Sequence, residues 1–257
     1  MSDQVSRVRI IPCLLLRGNG LVKTRRFKDA VYLGDPVNAV RIFSEKEVDE
    51  IVVLDIDASR EQRDPNYEAI SEIAGECFMP MAYGGGVRSV EQANRLIRCG
   101  VEKVVLNSAA IASYTVVRDI ADRFGSQAVV GAIDVRRTML GGYRVTSRSG
   151  TVEHKISLDD HVQNLVQAGA GEIFLNSVDR DGMMQGFDLQ LLQRVSKLVR
   201  VPVVACGGAG TAQHLADAVG EGGVAAVAAG SMFVFHGRLK AVLINYPKEL
   251  ELFRRGR

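Results

Sequence analysis

Short apolar runs rich in β-branched residues recur along the chain at 8–16, 50–57, 79–83, 103–107, 128–134, 172–176, 202–206 and 225–229, each ending in glycine or polar residues. Runs of this length bounded by turn-forming residues predict eight strands. The segments 35–47, 89–99, 113–124, 158–168, 188–199 and 211–220 instead carry apolar residues at helical spacing, and Pro36 directly after Asp35 marks a helix start. The strands are apolar almost without interruption, so both faces must be covered, as in a parallel sheet flanked by helices. Eight strand–helix units in 257 residues match an α/β fold, the (βα)8 or TIM barrel, and favour one domain over two.

The pattern also repeats. Gly84-Gly85 maps onto Gly207-Gly208 at an offset of 123 residues, and the same offset carries Gly100-Val101 onto Gly223-Val224 and Ser108 onto Ser231. At an offset of 124, Asp55 and Asp57 land on Asp179 and Asp181. The chain therefore reads as two tandem four-stranded half-barrels, about 1–125 and 126–257, related by a pseudo-twofold axis.

In such barrels the chemistry sits at the C-terminal ends of the strands. Gly84, Gly85 and Gly86 follow one strand and Gly207, Gly208, Ala209 and Gly210 follow its repeat, each just before a helix whose first N–H groups can hold a phosphate. Asn107-Ser108 and Gly230-Ser231 stand where they would complete the two cradles. Two cradles across one mouth suit a small substrate with a phosphate at each end. Tight βα turns without a ligand are the alternative.

The end of the first strand overlays the end of the fifth at an offset of 119, so Leu15 corresponds to Asp134. Asp134 ends an apolar strand, where partial burial raises a carboxyl pKa toward the range of a general acid or base. Leu15 cannot move a proton. The first βα loop, 17–34, is long and carries Lys23, Arg25, Arg26 and Lys28, which points to a lid placing a cation over the substrate, or to a solvated basic loop. The second long loop, 136–156, contains a hairpin-like segment around Gly141 and Gly142 and is assigned no chemistry. At the opposite face, Arg9, Glu50, Lys103 and Glu172 begin strands one, two, four and six, where two cations and two anions can form a ring of ion pairs.

Composition narrows the classes. Hydrophobic residues make up 47% of the chain, too many for a disordered protein, and a net charge of +2 offers no chain-wide field for nucleic acid. The start Met-Ser-Asp-Gln-Val-Ser-Arg lacks the apolar core of a secretion signal, and the glycine-rich apolar stretch 222–235 is shorter than a membrane span. The expectation is a cytoplasmic enzyme. Cys13, Cys77, Cys99 and Cys206 are widely spaced and read as reduced, mostly buried thiols. His154, His161, His214 and His236 lack metal-ligand spacing and read by default as surface histidines, so no metal and no cofactor are expected.

The motifs then meet a family. Arg9-Ile-Ile-Pro-Cys-Leu, Gly34-Asp35-Pro36, Leu54-Asp55-Ile56, Gly84-Gly85-Gly86, Asn107-Ser108-Ala109-Ala110, Phe124-Gly125-Ser126-Gln127, Ala132-Ile133-Asp134, Asp179-Arg180-Asp181-Gly182 and Gly207-Gly208-Ala209-Gly210 resemble, in order and over essentially the whole chain, the cyclase subunit of imidazole glycerol phosphate synthase, HisF. The resemblance implies a lyase in which ammonia from a glutaminase docked at the barrel bottom crosses the barrel. At the mouth it attacks a bisphosphate, giving imidazole glycerol phosphate and a purine precursor. It makes Arg9, Glu50, Lys103 and Glu172 an ammonia gate, Glu102 and Gln127 contacts of the glutaminase, and Lys23 a mobile-loop lysine. It makes Asp134 one of two catalytic aspartates and places Asp181 and Gly182 among the phosphate-binding residues.

Leu15 departs from the family, which has its other catalytic aspartate there; Asn176 stands where the family usually has threonine. Losing one of two acid/base groups should cripple histidine-pathway activity. Ile11-Pro12-Cys13-Leu14-Leu15-Leu16 with Gly20-Leu21-Val22-Lys23-Thr24-Arg25-Arg26-Phe27 is similar to a HisF-like branch from surface-polysaccharide (O-antigen, lipopolysaccharide) clusters. The similarity implies a glutaminase and a further amidotransferase-like protein that work with the barrel to convert an acetamido sugar to an acetamidino sugar. One tension is that a nucleotide sugar carries its phosphates contiguously, whereas both cradles are retained. The alternatives are a working histidine-pathway cyclase, a non-catalytic scaffold that activates a glutaminase, and the pathway's sister sugar isomerase, against which the gate residues argue.

Overall fold

The computed structural model describes residues 8–237, 241–247 and 250. The eight expected runs form parallel strands: β1 (Arg9–Arg17), β4 (Ile51–Asp55), β5 (Met81–Gly84), β6 (Lys103–Leu106), β7 (Val129–Arg137), β10 (Glu172–Ser177), β11 (Val203–Cys206) and β12 (Ala226–Ala229). Each pairs with its neighbours in parallel, and the pairing of β12 with β1 and of β7 with β10 closes the sheet into a barrel. Four strands come from each half of the chain.

Helices α1 (Pro36–Glu45), α3 (Val90–Arg98), α5 (Thr115–Phe124), α6 (Leu158–Gln167), α7 (Leu189–Leu198) and α8 (Ala212–Gly220) surround it, as the spacing predicts. Their starts are chemically marked. Asp35, Ser89, Ser157, Asp188 and Thr211 each accept a hydrogen bond from a backbone N–H in the first turn, which stabilises a helix by about 1 kcal/mol. Helix α2 (Tyr67–Gly75) and the one-turn helices α4 (Ser108–Ala112) and α9 (Ser231–Val234) are additional to the expected set. The main core lies between barrel and helices, around Phe43, Leu96, Val104, Val162 and Phe233. A second cluster, with Ile11, Ala82, Ala132, Phe174, Ala226 and Ala228, fills the barrel interior.

Two expectations are corrected. The segment 17–34 is not a loose lid: it folds as the antiparallel hairpin β2 (Gly20–Arg25) and β3 (Lys28–Gly34), extending the sheet from β1. Its counterpart after β7 is the hairpin β8 (Tyr143–Ser147) and β9 (Val152–His154). His161 is not a surface residue. It is fully buried, its Nδ1 lies 2.7 Å from Tyr114 Oη, and burial pushes its pKa down to about 4. The thiols are free, with Cys13 and Cys206 buried and Cys77 and Cys99 half-buried.

Candidate active site

The glycines at the strand ends show why no other residue serves there. Gly85 and Gly208, partners in the repeat, have φ of +123° and +121°. A Cβ on Gly85 would lie 2.5 Å from Asp55 O, and one on Gly208 would lie 2.2 Å from Gly186 O. Both positions need a backbone that only glycine adopts without strain, and both leave the chain close against its neighbour. Together with Gly84, Gly86, Asn107 and Ser108 on one side, and Gly207, Gly230 and Ser231 on the other, they line a single pocket at the mouth.

Asp134 stands on the floor of that pocket. Its Oδ2 accepts a hydrogen bond from Asn107 Nδ2 at 3.0 Å, and it lies opposite Asn176 and Thr146 in the sheet register. Burial pushes its pKa up to about 7; the Asn176 amide lowers it and the charge of Asp181 raises it further. The carboxyl is therefore poised to hold or release a proton near neutral pH. Asn107 Oδ1, Asn176 Oδ1 and Ser231 Oγ are buried in the same pocket without a protein partner among the described residues. Buried polar atoms rarely go unpaired, so their convergence on one pocket marks it as a place where polar ligand groups would be welcome.

Lys23 and Asp181 are brought together, but not as expected. Lys23 is on β2, only 6% exposed, and its Nζ donates to Asp181 Oδ1 at 2.5 Å and to Thr24 O at 3.1 Å. The other Asp181 oxygen accepts from Thr24 Oγ1 at 2.7 Å and from Phe27 N at 3.2 Å, while Arg26 N donates to Asp181 O. Asp181 thus pins the hairpin across the mouth and lines the pocket beside the second cradle. Gly182 lines the pocket and serves the same crossing, since a Cβ there would meet Thr24 O at 2.3 Å. The Lys23 side chain passes along Gly230, whose Cβ would lie 2.9 Å from Lys23 Cε. Lys23 therefore faces the second cradle as an ion pair with Asp181.

The second hairpin mirrors this crossing. Its turn hydrogen-bonds to the far side of the mouth, with Ser149 Oγ donating to Ile56 O and Arg148 N donating to Ser108 Oγ. Arg148 and Ser149 have φ of +50° and +56°, as Arg26 and Phe27 in the first hairpin have +52° and +62°. Arg148, Ser149 and Thr151 line the pocket, together with Arg17, Asp57, Ser59 and Arg60, and none of these was expected there. The repeat carries the signal, because a hairpin lining the mouth in one half has its counterpart in the other.

Leu15 is 9% exposed, lines the pocket and stands opposite Val22 and Leu54 in register. The mouth therefore has a protic wall at Asp134 and an apolar one at Leu15. Cys13 and Cys206 also line it. A hydrogen bond with Cys13 and burial hold the Cys206 thiol well above its ordinary range, so it is not a ready nucleophile.

At the bottom, Arg9, Glu50, Lys103 and Glu172 form a closed ring of alternating charge. Lys103 Nζ lies 2.8 Å from Glu50 and 3.0 Å from Glu172, and Arg9 pairs with both carboxylates from the other side. Both glutamates are buried, whereas the Arg9 and Lys103 side chains are 29% and 19% exposed. Glu102 and Gln127 are exposed near the same end, beside the starts of β6 and β7. Among the described residues no group of His, Cys, Asp and Glu side chains could hold a metal ion, and no helix is long and apolar enough to cross a membrane.

A closed parallel barrel with duplicated glycine cradles at its mouth defines the class, and comparison with known proteins gives the family. Residues 9–240 match the family described as histidine biosynthesis protein. The chain is 56% identical over 241 residues to a Pseudomonas aeruginosa protein named "Putative imidazole glycerol phosphate synthase subunit hisF2", covering 94% of this chain and 96% of that one. It is 48% identical to the protein "Putative imidazole glycerol phosphate synthase subunit HisF" of Leptospira borgpetersenii, covering 94% and 95%. It is also 42% identical to imidazole glycerol phosphate synthase subunit HisF of Thermobifida fusca, covering 89% and 91%. The chain belongs to the HisF family of (βα)8 barrels.

Proposed function

We propose that the chain is the ammonia-accepting synthase subunit of a glutamine-dependent complex, with a glutaminase docked on the barrel bottom around Glu102 and Gln127. The observation that carries this reading is the ring of Arg9, Glu50, Lys103 and Glu172 beneath an apolar barrel interior that leads to Asp134. Ammonia is small and neutral, so an apolar interior lined partly by alanines suits its passage, and a charged ring excludes bulk apolar solutes while opening by rearrangement of ion pairs.

The acceptor at the mouth is proposed to be an acetamido sugar that becomes an acetamidino sugar for surface polysaccharide. A nucleoside triphosphate, used by a separate amidotransferase-like protein, transfers a phosphoryl or nucleotidyl group to the acetamido oxygen. Ammonia attacks the carbonyl carbon, the C–N bond forms, and the C–O bond breaks with the oxygen leaving as phosphate or nucleoside monophosphate. Asp134, with its pKa near neutrality, takes the proton that nitrogen sheds. Leu15 supports this acceptor over the histidine-pathway one because a single proton-transfer group suffices.

A second reading, the cyclase of histidine biosynthesis, is favoured by the two cradles on opposite sides of one pocket, which suit a bisphosphate. One experiment separates the two. The chain is incubated with its glutaminase, the amidotransferase-like protein, nucleotide and [amide-15N]glutamine, with either the acetamido sugar nucleotide or the bisphosphate substrate. Transfer of 15N into the sugar supports the first reading. Cyclisation of the bisphosphate at the rate of ordinary family members supports the second.

A further inference from the structure

The two cradles differ in charge. Beside the second, Lys23 is fully matched by Asp181. Beside the first, Arg17 and Arg60 share a single carboxylate, with Arg17 Nε 3.1 Å from Asp57 Oδ2 and Arg60 Nη2 2.8 Å from Asp57 Oδ1. Asp55 is matched by Arg63, which also holds the exposed Glu61. Arg148 has no ion-pair partner among the described residues, and its backbone N–H is fixed on Ser108, within the first cradle. Four guanidinium groups, Arg17, Arg60, Arg63 and Arg148, against Asp55, Asp57 and Glu61 leave one positive charge along that side of the pocket.

We infer that the mouth is built for a diphosphate ester, the class to which nucleotide sugars belong, with both phosphates on the side of Gly84–Gly86, Arg17, Arg60 and Arg148. One phosphate sits on the glycine cradle and Ser108. The next lies outward against the three guanidinium groups, which present forked donors matched to phosphate oxygens. The second cradle, neutral in its side chains and provided with the unpartnered Ser231 hydroxyl, then takes an uncharged polar part of the ligand. This arrangement rests on the sugar reading and removes its main tension, because contiguous phosphates no longer need to span the pocket.

Direct binding to the full chain tests it without any glutaminase, so its outcome is independent of whether ammonia is delivered. Calorimetric titration with uridine diphosphate, uridine monophosphate and a sugar bisphosphate whose phosphates lie at opposite ends is compared in wild type, Arg60→Ala and Arg148→Ala. The inference expects uridine diphosphate to bind at least about ten-fold tighter than the monophosphate, and each arginine variant to lose about ten-fold toward the diphosphate alone. Equal binding of the mono- and diphosphate would overturn it, as would a separated bisphosphate that binds tightest and ignores both arginine substitutions. Thermal unfolding of the variants in the absence of ligand separates lost binding from lost fold.

Discussion

Leu15 and Asp134 occupy equivalent places in the two halves of the barrel. Leu15 faces Leu54 on the next parallel strand and Val22 on its hairpin, and Asp134 faces Asn176 and Thr146 in the same two relationships. The backbone keeps the pseudo-twofold symmetry that the side chains break. In Leu15→Asp a second carboxyl is placed across the pocket from the first. If the missing acid is what limits bisphosphate cyclisation, turnover with ammonium salt rises by about 10²–10⁴-fold. The same change buries an unpartnered carboxyl group among Val22 and Leu54, where it takes up a proton, and the neutral group costs about 1–3 kcal/mol by denaturant unfolding.

Asp134 gives a pH signature. Its pKa is raised to about 7, so activity that uses it as a base rises through neutral pH, and Asp134→Asn abolishes that limb along with most of the rate. Stability runs the other way. A raised carboxyl pKa means that the folded state holds the proton more tightly than the unfolded chain does. Its contribution is complete below about pH 4 and is lost as pH rises to about 7. Unfolding measured from pH 4 to pH 8 should show Asp134→Asn gaining on the wild type as pH increases.

Much of the fold was legible because apolar runs and helix caps act locally. All eight barrel strands follow from β-branched runs, and Asp35-Pro36 locates α1 within a residue. The hairpin-like segment at Gly141-Gly142 does turn β7 back into β8, but the first hairpin was not legible, since 17–34 reads as a basic loop and only Leu21, Val22, Lys23 and Thr24 form its buried stretch. Lys23 is buried because Asp181, 158 residues away, meets its charge, and no local pattern reports such a partner. Arg17, Arg60 and Arg148 likewise converge only through the barrel and its second hairpin.

The Lys23–Asp181 pair holds the first hairpin over the mouth, so breaking it has a structural cost. Lys23→Met leaves a carboxylate buried with only Thr24 Oγ1 and backbone N–H donors, and should destabilise the chain by about 3–5 kcal/mol. Adding Asp181→Asn to that variant should recover part of the loss, which a double-mutant cycle in urea would measure.

The bottom ring is tested in the same way, with a functional readout. Lys103→Met leaves Glu50 and Glu172 facing one another with Arg9 alone between them, a loss of about 3–5 kcal/mol. Turnover supported by added ammonium salt should survive better than turnover supported by glutamine, because only the latter must pass the ring.

The most direct measurement of the central claim is glutamine hydrolysis by a HisH-type glutaminase from the same organism, with and without the chain present. The account predicts a stable one-to-one complex, hydrolysis raised well above that of the glutaminase alone, and loss of that complex when Glu102 and Gln127 are both replaced by bulky residues. Failure of the two proteins to associate, with hydrolysis unchanged by the barrel, would contradict it.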